Sequence, residues 1–83
     1  MKAIKVKNHR AFACFEYTNY PNENFELGQI LYKNDEFNGH EIGVIIQLHE
    51  DGDCRTDMWG NCSKSEVSFA TIEQVKQYRP EIL

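Results

Sequence analysis

The sequence predicts a mainly β fold, a small barrel or strongly bent antiparallel meander, with one short C-terminal helix. Three observations predict it. Residues 44–49 and 53–59 are strand-forming runs around Glu50-Asp51-Gly52, and Asp-Gly between such runs is a strong hairpin signal. Further short runs of apolar and β-branched residues recur along the chain, separated by Asn, Pro and Gly clusters, which is the pattern of small all-β folds. Thr71 and Gln74 form a capping box just before a helical pattern that Pro80 stops.

Polarity selects the hairpin register. A two-residue Asp51-Gly52 loop would oppose Glu50 to Asp53 and mix ions with aliphatic side chains on one face. A three-residue loop, Glu50 to Gly52 with Gly52 at the left-handed bulge position, separates the faces. Leu48 then meets Cys54, Ile46 meets Thr56 and Val44 meets Met58 on an apolar core face. Ile45, Gln47, His49, Asp53, Arg55, Asp57 and Trp59 share a mostly polar outer face, with Gln47 opposite Arg55 and Ile45 opposite Asp57. A one-residue slip inverts the faces, so burial favours the second register. Gly52 supplies the positive φ without a Cβ penalty.

The other elements follow in order. Residues 2–7 alternate, with Ile4 and Val6 on one side and Lys5 and Lys7 on the other, as in a half-buried strand. Asn8-His9-Arg10 reads as a turn. Residues 11–20 are aromatic-rich and read as a second strand, with both faces covered or a bulge switching them. Residues 19–24 have loop chemistry, and Pro21 pushes Tyr20 away from helical geometry. Residues 27–33 form the next predicted strand, with Gly28 marking a bulge or a close backbone approach. A polar loop over 34–41 contains an Asn38-Gly39 turn. After a Gly60-Asn61 turn, residues 66–70 form a short strand with Val67 and Phe69 on one face. The helix runs from Ile72 to about Tyr78 on an apolar edge of Ile72, Val75 and Tyr78 or the stem of Arg79. Ile82 and Leu83 fold back onto the body.

The 83 residues make one domain, with a hydrophobic fraction of 41% that suits a globular chain with a small core rather than a disordered one. The net charge of −4 argues against a general nucleic-acid binder, which carries a basic field. The charge is unevenly spread. Lys2, Lys5, Lys7 and Arg10 fall in the first ten residues with no acid among them. These bases form a solvated strand face or, in the sharper reading, contact phosphates. Cys14, Cys54 and Cys62 are an odd number of scattered cysteines, which suits a reducing compartment better than a disulfide scaffold. The expected location is cytoplasmic, without a signal peptide or membrane span.

The order GQILY, polar loop, IGVIIQLHEDGDCRTDMWGN and EVSFA resembles an SH3-like small barrel, in which a Gly-x-Val strand, an acidic-Gly turn and a return strand make the central hairpin. Tudor-like modules share this order. The chain is also similar to short bacterial or phage proteins. The resemblance spans roughly residues 27–70 and implies the fold, with no ligand residue carried over.

His49 and Cys54 flank the turn, and Cys62, His9 or His40 could join them at a metal, but zinc sites are built from tight pairs that this chain lacks. No local motif links a nucleophile to a base, and isolated glycines make no phosphate loop, so neither an enzyme nor a cofactor is expected. The thirteen acids could mimic nucleic acid, yet the net field is weak. Trp and Arg dominate interface hot spots, so the expected partner site is Trp59, Arg55, Asp57, Ile45 and Gln47. Gly43 would let the Trp59 indole lie across the neighbouring strand. Alternatively, the N-terminal strands, the loop with Phe37 or the C-terminal helix cover Trp59 and make it core. The expected function is therefore a non-catalytic protein-interaction module. The alternative is a nucleic-acid-associated module using Lys2, Lys5, Lys7 and Arg10. Unpaired sheet edges would also allow a homodimer.

Overall fold

Residues 3–83 are described by a computed structural model. The chain forms a curled five-stranded antiparallel sheet, a half-barrel, with a short helix near its C-terminus. Its centre is the pair β1 (Ile30–Asp35) and β2 (Gly39–Leu48), in register from Asp35 opposite Gly39 to Ile30 opposite Val44. The connecting turn forms because the Asp35 carboxylate accepts the N–H groups of Phe37 and Asn38 at 2.8 and 2.6 Å. β3 (Cys54–Thr56) and the two-residue β4 (Asn61–Cys62) extend the sheet on one side, and β5 (Ser68–Phe69) on the other, giving the order β4-β3-β2-β1-β5.

The turn end of the hairpin has the three-residue register. Leu48 opposes Cys54, Gln47 opposes Arg55, and Gly52 has φ +94°. Beyond Gln47 the register shifts by one residue, so that Ile45 opposes Thr56. This is a bulge, in which two residues of one strand face one of the other. It corrects the expected pairing. Val44 now bonds to Asp57 instead of facing Met58, with the Asp57 N–H donating to the Val44 carbonyl at 3.0 Å. Met58 is thereby turned out of the expected core face and is 52% exposed. Ile45, expected on the outer face, is fully buried at 0%.

The expected division into one apolar and one polar face fails because both faces of the central strands are covered. Adjacent residues of β1 enter different cores. Leu31 packs with Phe25, Ile45, Cys54 and Cys62, whereas Ile30 packs with Ile42, Ala70 and Val75. The second core is closed by α2 (Ile72–Tyr78), whose Val75 is fully buried. The capping box of α2 is complete: the Thr71 hydroxyl accepts the Gln74 N–H at 3.1 Å, and the Gln74 side chain accepts the Thr71 N–H at 3.0 Å. A 3-10 turn over Pro80–Ile82 follows and packs Ile82 against the same core, while Leu83 stays exposed.

The N-terminal quarter departs most from expectation. Residues 11–20 are not a strand. They contain α1 (Arg10–Cys14) and a 3-10 turn over Glu16–Thr18. The helix starts because His9, in extended geometry, uses Nδ1 to accept the Ala11 N–H at 3.0 Å. Ala11 and Ala13 are then well suited to a helical turn. Of the strand expected over 2–7, a single bridge between Lys5 and Gln29 forms among the described residues. Ile4 and Val6 do point inward, onto the second core. Gly28 marks the expected close approach, since a Cβ there would collide with the Val6 carbonyl oxygen.

Candidate functional site

The bend after β3 carries most of the residues that the sequence singles out. Thr56 builds it. Its hydroxyl accepts the N–H groups of Met58 and Trp59 at 3.3 and 3.0 Å and donates to the Trp59 carbonyl at 2.9 Å. A threonine side chain that takes up backbone groups in this way competes with the strand ladder. β3 therefore ends at Thr56 rather than continuing to residue 59. The chain folds back, and the Trp59 indole lies across Gly43, where a Cβ would come within 2.8 Å of Cζ3. Trp59 is half-buried against the first core, with the Lys33 ammonium 5.4 Å from its ring centroid. Its Nε1–H is buried and has no acceptor.

Asp57 is the most heavily bonded side chain of the bend. Arg79, just after α2, grips it with two parallel bonds of 2.9 and 2.8 Å, and His9 Nε2 lies 3.2 Å from the same carboxylate. The Val44 N–H donates to Oδ1 at 2.9 Å, and Arg79 also donates to the Ile42 carbonyl at 3.3 Å. Because His9 Nδ1 accepts the helix cap, its Nε2 carries the hydrogen donated to Asp57. Burial opposes ionisation of Asp57, but the Arg79 bonds, the Val44 N–H, the Arg79 charge and the His9 bond outweigh it. The carboxyl is held below its ordinary range. With side-chain exposures of 12% and 19%, Asp57 and Arg79 join the hairpin to the C-terminal helix. They do not form a solvated face.

The remaining predicted partner residues are also engaged within the chain. Ile45 is core. The Gln47 side-chain amide donates to Thr18 Oγ1 at 2.8 Å, and the exposed Arg55 guanidinium lies 5.4 Å from the Phe15 ring centroid. The segment after α1 thus covers this side of the hairpin, and the Asn19 side chain accepts the Leu48 N–H at 2.6 Å. Of the basic residues, Lys5 pairs with Glu26 at 2.8 Å, while Lys7 and Arg10 are exposed. Lys2 lies outside the described residues. Lys5 and Lys7 flank a shallow depression floored by Val6, Phe12 and Leu27.

Two clusters were not anticipated. The first is an aromatic rank of Tyr32, His40 and Tyr78. His40 and Tyr78 stack at 4.6 Å with 9° between planes, and the Tyr32 hydroxyl bonds to His40 Nδ1. They adjoin an open cleft of about 420 Å³ whose lining includes His40, Ile42, Met58 and Tyr78. The available signal was the Asn38-Gly39 turn. Placing it makes residues 32 and 40 diagonal neighbours across the hairpin. The second cluster is the buried pair Cys54 and Cys62, directly opposed on β3 and β4, with their sulfurs 3.4 Å apart. The sequence carries no signal for this pairing, because a two-residue strand leaves no periodicity to detect.

Among the described residues, no three or more His, Cys, Asp or Glu side chains gather in an arrangement that could hold a metal ion. No described helix is long and apolar enough to cross a membrane. Comparison with family models, curated proteins and solved structures finds no match to this chain.

Proposed function

We propose that this chain is a non-catalytic protein-interaction module, a half-barrel of the SH3-like class acting as a small cytoplasmic accessory protein of bacterial or phage type. The observation that carries the reading is Met58. It is a flexible apolar side chain left 52% exposed at the mouth of the cleft beside His40 and Tyr78. Methionine suits adaptable binding surfaces, and an aromatic neighbour supplies rigid contact area. The scaffold beneath it is pre-ordered by the Asp57–Arg79 pair and by Trp59 packed on Gly43. A rigid platform lowers the ordering cost of association. Trp59 is half-buried within the fold, and Met58 is the exposed apolar side chain of the bend.

The test is capture from source-cell lysate by immobilised wild type beside Met58→Lys, each with and without nuclease and high salt. The expected result is a protein retained by wild type, insensitive to nuclease, and lost from Met58→Lys while that variant keeps its urea midpoint. Retention abolished by nuclease, or falling steeply with salt, would replace this reading with a nucleic-acid module using Lys2, Lys5, Lys7 and Arg10.

A further inference from the structure

We propose that Cys54 and Cys62 are a peroxide-sensing dithiol, a modification site whose disulfide staples edge strand β4 to β3. The geometry is built for it. The two residues are Cα partners of an antiparallel pair, and such partners lie about 4.5–5.5 Å apart, within the span a disulfide bridges. Their sulfurs already touch at 3.4 Å, with exposures of 0% and 2%, inside an apolar cluster. Closing the bond therefore requires side-chain movement and no rearrangement of the sheet.

A second, independent feature points to a negatively charged sulfur at Cys62. The buried Trp59 Nε1–H makes no hydrogen bond, and the indole packs against the cluster that holds Cys62, where its N–H favours a charged sulfur. The bond from Cys54, with help from Trp59, brings the Cys62 thiol down to about 7 against the opposing effect of burial. The hydrogen bond shared with Cys62, together with burial, pushes the Cys54 thiol up. A thiolate at Cys62 would supply the acceptor that the Trp59 Nε1–H lacks, with the Cys54 thiol as its second partner.

The oxidant is hydrogen peroxide, which is small enough to follow water into a core opened only at its edge. β4 is two residues long and forms one border of the sheet, so local opening there is less costly than global unfolding. The Cys62 thiolate sulfur attacks one peroxide oxygen and the O–O bond breaks. The departing hydroxide recovers the proton that Cys62 released and leaves as water, so Cys62 becomes a sulfenic acid. The Cys54 sulfur then attacks the Cys62 sulfur. The S–S bond forms, the S–O bond breaks, and the leaving hydroxide takes the Cys54 proton as a second water. Two electrons pass from the sulfurs to one peroxide, and a dithiol reductant reverses the change.

The inference stands apart from the proposed interaction surface. It is tested on the full chain carrying Cys14→Ser, which removes the exposed thiol. The reduced protein is treated with hydrogen peroxide, alkylated after unfolding, and mapped by peptide mass. The expected result is loss of both alkylatable thiols, a 54–62 cross-linked peptide lighter by two hydrogens, full reversal by dithiothreitol, and a higher urea midpoint for the oxidised form. Adding Cys54→Ser should trap the sulfenic acid on Cys62 as a dimedone adduct, whereas adding Cys62→Ser should leave Cys54 unlabelled. If both thiols of the Cys14→Ser protein remain fully alkylatable under peroxide doses that oxidise an exposed thiol, the proposal is overturned, whether or not the other variants fold. Sulfonic acid in place of the cross-link would overturn it equally.

Discussion

The two ends of the central hairpin are built by different physics. At the turn end, residues of the turn itself carry the pairing, with Asn19 and Asn22 bonding to it from outside: Gly52 at φ +94°, the Gly52 N–H bonded to the His49 carbonyl, and Leu48 opposite Cys54. At the open end, the bulge and the position of Asp57 are fixed by partners 22 and 48 residues away in sequence, Arg79 and His9. The turn end is local chemistry. The open end is tertiary structure, and it decides which of Ile45 and Met58 is buried.

The contrast should be broken most severely at Asp57. Asp57→Ala removes one partner of a largely buried ion pair and leaves Arg79 without its carboxylate. A loss of about 3 kcal/mol or more is expected, measured as a fall in the urea-derived unfolding free energy. The same group gives a pH signature. Its folded pKa lies below the ordinary 3.8, so its stabilisation is full above that value and is lost as the pH falls through the folded pKa. Wild type should show this acid loss, and Asp57→Asn should show a weaker dependence over the same range.

A smaller effect is expected at the turn end. Gly52→Val forces a β-branched residue into left-handed geometry and should cost about 1–3 kcal/mol, with Asp57 and Arg79 still paired. An unchanged urea midpoint would refute the three-residue bulged turn. The smallest effect should come from a local device outside the hairpin. Thr71→Ala removes the cap of α2 and should cost about 1 kcal/mol in the same assay.

The difference also explains what was legible in the sequence. The capping box, the extent of α2, the turn at Gly52, the Leu48–Cys54 and Gln47–Arg55 pairs and the packing of Trp59 on Gly43 follow from residues that carry their own local instructions. The bulge at the far end does not, because Ile45 is buried only once residues 28 and 29 bond to it from the other side, at 2.9 and 3.0 Å. The strand expected over 11–20 rested on aromatic content, yet a histidine, an uncommon cap, starts a helix there. Phe25 is core although loop chemistry surrounds it, since its N–H is held by the Asn22 side chain at 3.0 Å. For the candidate site, residue types were a better guide than faces. Arg55, Asp57 and Trp59 do gather near one bend, but Asp57 and Trp59 turn inward, Arg55 lies over Phe15, and the exposed apolar residue of the bend is Met58, which patterning assigns to the core.

The most direct test of this division is a double-mutant cycle on Asp57→Asn and Arg79→Gln, read from urea unfolding at neutral pH. If the open end is held by this pair, the coupling should be about 2 kcal/mol or more, and the double variant should be little worse than either single one. Coupling below about 0.5 kcal/mol, the scale of an exposed surface pair, would contradict it.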